Sequence, residues 1–76
     1  MADLRKKFGA RLRQLRRQAD LTQEQLADKA DISVDFLSLV ERGVNAPSFE
    51  NIGKLAAALG VPVRELFNFS QEGSSS

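Results

Sequence analysis

Residues 21–43 read LTQEQLADKADISVDFLSLVERG, and this stretch decides the fold. Thr22 can accept the backbone N–H three residues on, while the Gln25 side chain reaches back to the N–H of Thr22. That reciprocal cap opens a helix over residues 23–30, with Leu26, Ala27 and Ala30 inward. Asp31 and Ile32 leave room only for a tight turn. Such a turn favours a positive φ at one position, which Asp tolerates better than most residues, though less well than Gly. Ser33 then caps a second helix, residues 34–42, with Leu37 and Val40 inward, and Gly43 ends it. Close packing of two helices joined this tightly needs a small residue at the contact, and Ala27 supplies it. The unit is a helix-turn-helix over residues 23–42.

Upstream, Leu4, Phe8, Leu12, Leu15 and Ala19 repeat with the helical period and predict an amphipathic helix over residues 4–19. Lys6, Arg13 and Arg17 fall on its opposite, solvent-facing side. Downstream, a loop of Val44, Asn45, Ala46 and Pro47 leads to Ser48, the cap of a fourth helix. Phe49, Ile52, Leu55, Ala56 and Leu59 form its apolar face, and Gly60 stops it. Pro62 suits the first turn of a short fifth helix, Val63 to Phe67. The sequence shows no strand pattern or internal repeat. The expectation is an all-α, five-helix domain over residues 1–69, followed by a small, polar, disordered tail at 70–76.

The whole chain has 76 residues with no Cys and no His. Disulfides, zinc sites of Cys and His, and catalysis by a Cys nucleophile or a His base are therefore excluded. The expectation is a non-enzyme with no cofactor, metal or small-molecule ligand. No apolar run approaches the roughly 20 residues of a membrane span, and the N-terminus lacks the apolar core of a signal peptide. Together with the missing Cys, this suggests a cytoplasmic protein without a membrane partner. A domain this small is marginal on its own, which leaves well-packed helices and self-association as its means of support.

The formal net charge is only +1. It conceals a split: residues 1–20 hold seven bases and two acids, whereas residues 21–76 hold four bases and eight acids. An asymmetry of this kind points to a polyanion on one side or to a solvated helix face.

Several stretches, taken in order, carry a resemblance. They are Leu12-Arg13 with Leu15-Arg16, Leu21-Thr22-Gln23 with Leu26-Ala27, Ile32-Ser33, and Leu37-Ser38 with Val40-Glu41-Arg42-Gly43. Asn45 with Pro47-Ser48 and Leu55-Ala56 with Leu59-Gly60-Val61 complete them. Over about residues 8–67 the chain resembles the lambda-repressor-like, Cro and XRE-type helix-turn-helix family. The resemblance implies a sequence-specific DNA-binding transcriptional regulator that reads a short palindromic operator in double-stranded DNA as a dimer. Its second motif helix, the third of the chain, would enter the major groove with its N-terminal residues nearest the bases. Compact members of this kind include phage repressors, restriction–modification controllers and antitoxins. The alternatives are a protein-interaction module on the same fold, or a DNA-binding module cut from a larger regulator.

On a helical wheel with Val34 at zero, Leu37, Val40 and Phe36 cluster between about 200° and 300°, the buried side. Val34, Ser38, Arg42, Asp35 and Leu39 occupy the arc from zero to about 140°. The family pattern places Val34, Asp35 and Leu39 toward the bases. Asp35 can accept from cytosine N4, while Val34 and Leu39 offer apolar contact such as to a thymine methyl. The pattern further assigns Gln23, at the start of its helix, to a phosphate, and Arg42 and Asn45 to the DNA backbone. Ser33 and Ser38 complete the expected DNA-binding set; Arg11 and Arg13 are weaker candidates. Arg16 and Glu41 resemble the family's internal ion pair, linking the first helix to the third. Pro62, Val63, Leu66 and Phe67 form the expected homodimer patch.

Overall fold

A computed structural model describes residues 3–69 of the chain. Five helices run in order, α1 (Leu4–Gln18), α2 (Gln23–Ala30), α3 (Val34–Glu41), α4 (Phe49–Leu59) and α5 (Val63–Leu66), with no strand among the described residues. The all-α architecture and every helix expected from the sequence are present. The tail at 70–76 lies outside the described residues.

The helix ends follow from side chains that satisfy otherwise orphaned backbone groups. The Asp3 carboxylate accepts from the N–H of Arg5, the Ser33 hydroxyl from Phe36, and the Ser48 hydroxyl from Asn51. At Thr22 both halves of the reciprocal cap form, at 2.9 and 3.0 Å. Asp31 adopts the left-handed conformation at φ 59°, as the tight turn requires, and the N–H of Ile32 closes onto the Ala27 carbonyl at 3.0 Å. Three boundaries differ by one residue from the sequence reading, among them that of α5, which ends at Leu66 with Phe67 as its cap. α1 ends at Gln18, and Asp20 takes up a second left-handed turn at φ 62° before α2. α3 ends at Glu41, with Arg42 as its cap and Gly43 at φ 80° leading the chain away.

The core joins all five helices: Phe8, Leu12 and Leu15 from α1, Leu26, Ala27 and Ala30 from α2, Leu37 and Val40 from α3, Leu55 and Ala56 from α4, and Leu66 from α5. The motif's expected inward residues are all buried. Four apolar assignments need correction. Leu4, counted in the α1 stripe, is 58% exposed at the first residue of that helix. Ala19 is exposed, because the helix has already ended there. Leu66 is fully buried, so it supports the domain from within and is not part of a surface patch; Pro62, Val63 and Phe67 beside it are exposed. Phe49, counted in the α4 face, is 93% exposed, because the first residue of α4 projects past the core rather than into it.

α1 and α3 approach each other closely at Gly9. A Cβ on Gly9 would collide with the carbonyl oxygen of Val40 and lie 2.6 Å from that of Glu41. Both obstacles are backbone, so neither can swing aside. Gly9 thus sets how near the third helix comes to the first. Gly9→Ala is expected to destabilise the domain by about 3 kcal/mol through overpacking. Denaturant titration checks this, and an unchanged midpoint would contradict it.

Candidate nucleic-acid interface

The turn at Asp31 and Ile32 joins the end of α2 to the start of α3, and residues from α1, the α1–α2 connection, the start of α2 and the start of α3 border one concavity. They are Arg13, Arg16, Leu21, Thr22, Gln23, Glu24 and Val34. The outer side of α3 carries the expected readers. Ser33, Val34, Asp35 and Arg42 are exposed, while Ser38, Leu39 and Asn45 are half-buried. Val34 is 37% exposed, whereas Leu37 and Val40 on the opposite side of the same helix are fully buried. The wheel therefore divides α3 correctly into a packed side and a free side.

The free side is nearly devoid of charge, holding Asp35 at its start and Arg42 at its end. The Ser33 hydroxyl is occupied as an acceptor for the cap at 3.0 Å. The Leu39 carbonyl accepts from the backbone of Val44 at 2.9 Å and Asn45 at 3.3 Å, which folds the following loop against the end of α3. Among residues 44–48 there is no Lys or Arg.

Behind the interface sits one buried carboxylate. The Glu41 side chain is 2% exposed, and both its oxygens are used. Arg16 donates from Nε to Oε2 at 2.7 Å and from Nη2 to Oε1 at 3.1 Å. The Gln23 amide donates to the same Oε1 at 2.9 Å. Arg16 also donates from Nη1 to the Leu21 carbonyl at 2.9 Å, holding the α1–α2 connection. The ion pair implied by the resemblance is present, and it extends to a residue the sequence reading reserved for phosphate. Gln23 keeps one amide N–H and its carbonyl oxygen without a partner among the described residues.

Arg13 and Arg11 part company. Arg13 is exposed and shares the concavity with Gln23 and Val34, although the wheel alone left it as solvent decoration. Arg11 does not face outward at all. It is 2% exposed, and donates from Nε to the Glu65 carbonyl and from Nη2 to the Glu65 carboxylate, both at 2.8 Å. A third bond, to the Gln14 side chain, is also 2.8 Å. Arg11 is thus a clamp between α1 and α5, and its candidacy for DNA is withdrawn. Its place one turn from both Phe8 and Leu15, at the edge of the apolar stripe, was the available signal.

Among the described residues no cluster of His, Cys, Asp and Glu could hold a metal ion, and no helix is long and apolar enough to cross a membrane. The features that remain are a capped tight helix pair, an exposed outer face on its second helix, and an internal ion pair fixing that helix to the first. They define a DNA-binding helix-turn-helix domain. The sequence matches the helix-turn-helix family over residues 12–66, and the chain belongs to that family of DNA-binding transcriptional regulators. Control protein C.BamHI of Bacillus amyloliquefaciens is 36% identical over 73 residues, covering 95% of this chain and 90% of that protein. Control protein C.MunI of a Mycoplasma species is 36% identical over 69 residues, covering 90% and 93%. The crystal structure of the restriction–modification controller protein C.AhdI from Aeromonas hydrophila superposes with a TM-score of 0.82 at 46% identity, covering 83% of this chain and 96% of that one.

The Glu41 network yields a direct expectation. Glu41→Ala leaves Arg16 buried without its counter-charge, which costs about 3 kcal/mol or more. For a domain of this size the thermal midpoint should fall by more than about 10 °C. Equal midpoints for variant and parent would contradict the assignment.

Proposed function

We propose that the protein is a restriction–modification controller: a non-enzymatic, cytoplasmic regulator that binds a short palindromic operator as a homodimer, with α3 in the major groove. The observation that carries the reading is the free outer side of α3, where Val34 and Asp35 at its N-terminal end are exposed and Val34 shares a concavity with Gln23 at the start of α2. In this motif those are the residues nearest the base edges. Asp35 accepts from a cytosine amino group, and Val34 and Leu39 contact thymine methyls. Gln23 donates its remaining amide N–H to a phosphate at the N-terminus of α2, where the helix dipole also favours an anion. Arg13 adds positive charge at the same edge. Ser33, Ser38, Arg42 and Asn45 complete the contact surface, with Arg42 and Asn45 on the backbone. The near full-length similarity to two control proteins and to C.AhdI favours the controller setting over a phage repressor or an antitoxin.

With few cations on this face, phosphate contacts are few and non-specific affinity is modest. Duplex affinity should fall with salt on a log–log slope of about −0.9 per phosphate neutralised. A symmetric dimer would read half-sites about 34 Å apart, one helical turn. In vitro selection of bound duplexes is expected to return such a palindrome. Asp35→Asn should change the preferred base at one position in each half-site. Failure to enrich any motif would overturn the function, and an unchanged motif would remove Asp35 from the readout.

A further inference from the structure

Arg13 borders two concavities. One is the concavity it shares with Gln23 and Val34. The other runs along the outer face of α1 and is lined by Ala10, Arg13, Gln14, Arg17 and Gln18, together with Glu41. Arg13 and Arg17 are exposed and one helical turn apart, and neither has an ion-pair partner among the described residues. Like charges at this spacing destabilise a helix, and a solvated face usually offsets them with acids. The 15 residues of α1 include seven bases and no acid. The half-buried Gln14 accepts from Arg11 through its side-chain oxygen at 2.8 Å, which leaves its amide N–H groups without a partner among the described residues. Glu41 adds no unmatched charge, because both its oxygens are taken by Arg16 and Gln23. The concavity therefore offers two guanidinium groups and an amide donor, which is the chemistry that holds a phosphate.

We infer that this second concavity holds the DNA backbone outside the operator half-site, with Arg17 and Gln14 donating to a phosphate beyond the one at Gln23. The inference rests on the dimeric operator reading proposed above and adds flanking duplex to what each protomer grips. Two features give the position. Arg13 lines both concavities, so a strand that passes Gln23 and then Arg13 comes next to Arg17. The rise from Arg13 to Arg17 is about 6 Å, which lets the two side chains engage neighbouring phosphates of one strand. The second feature is where α5 sits. It carries the exposed Pro62, Val63 and Phe67 of the expected dimer patch, and it packs on the first half of α1. There the rings of Phe8 and Phe67 lie 5.2 Å apart, and Arg11 is bound to Glu65. Arg17 lies about 14 Å further along the helix than Phe8. In a symmetric pair joined through α5, Arg17 is thus at the end of α1 remote from the twofold axis, and the phosphate it meets lies outside the palindrome.

The test measures binding of the full chain to two duplexes that carry the selected operator, over a series of salt concentrations. One duplex ends at the outer edges of the palindrome, and the other extends by about half a helical turn, roughly 5 base pairs, at each end. The proteins are the parent, Arg17→Gln and Lys29→Gln; Lys29 is exposed near the end of α2 and its replacement removes the same charge elsewhere. The parent is expected to bind the extended duplex about tenfold more tightly than the trimmed one. Arg17→Gln should abolish that preference and make the log–log salt slope on the extended duplex shallower by about 0.9 for each protomer bound, with the selected bases and helical circular dichroism unchanged. Lys29→Gln should keep the parent's preference and slope. A parent that binds neither duplex would overturn the operator reading and this site together. A parent that binds both duplexes alike, a preference that survives Arg17→Gln, or a loss that Lys29→Gln reproduces would overturn this site alone.

Discussion

Glu41 is a carboxylate removed from water at the end of α3, and two other segments hold on to it. Arg16 reaches it from α1 through two bonds, Gln23 reaches it from the start of α2, and Arg16 ties in the Leu21 carbonyl on the connection between them. A buried carboxylate is costly unless its lone pairs are satisfied and its charge is matched. Both conditions are met here, so the arrangement admits few alternatives. Gly9 enforces the geometry from the other direction by letting the α3 backbone approach α1 more closely than a Cβ would allow. Attraction at Glu41 and contact at Gly9 together fix α3 as a rigid projection.

The same network explains how a nearly neutral chain is suited to DNA. Of the seven basic residues in the first 20, Arg11 and Arg16 are turned inward to serve Glu65 and Glu41. Arg13 is an outward cation in the concavity beside the motif. Positive charge near the interface is therefore sparse and placed, instead of spread over a face. A protein built this way gains little from the general attraction of a polyanion. In the function proposed above, selectivity rests on the few groups on α3 and avidity on pairing with a second copy.

Much of this was legible in the sequence because caps and turns are local. Thr22 with Gln25, Ser33, Ser48 and Gly60 act within a few residues of themselves, and the helices they delimit are where the sequence reading put them. Asp31 was legible for the same reason, since a tight turn needs a left-handed residue. The outward arc of α3 followed from its period. What escaped depends on distance in the chain. Arg11 lies 54 residues from Glu65, and an arginine at the edge of an apolar stripe reads as exposed until its acceptor is known. Leu66 and Phe49 were misplaced in opposite directions, because periodicity gives a helix an apolar side without saying how far the neighbouring helices extend to cover it. At the first residue of α4 the cover has run out, whereas α5 is too short to show any period, and its Leu66 is closed in by α1 and α4. Gln23 was read from the outside only; its inner bond to Glu41 becomes visible once α2 and α3 are in place.

The central claim is that the Arg16–Glu41 contact, not the hydrophobic core alone, sets the position of α3. A double-mutant cycle with Arg16→Met and Glu41→Leu measures it most directly, with unfolding free energy as the readout. Each single replacement leaves a buried charge unmatched, while the double replacement leaves none. The account predicts that the double variant recovers most of what either single variant loses, a coupling of about 2 kcal/mol or more. Losses that simply add would contradict it.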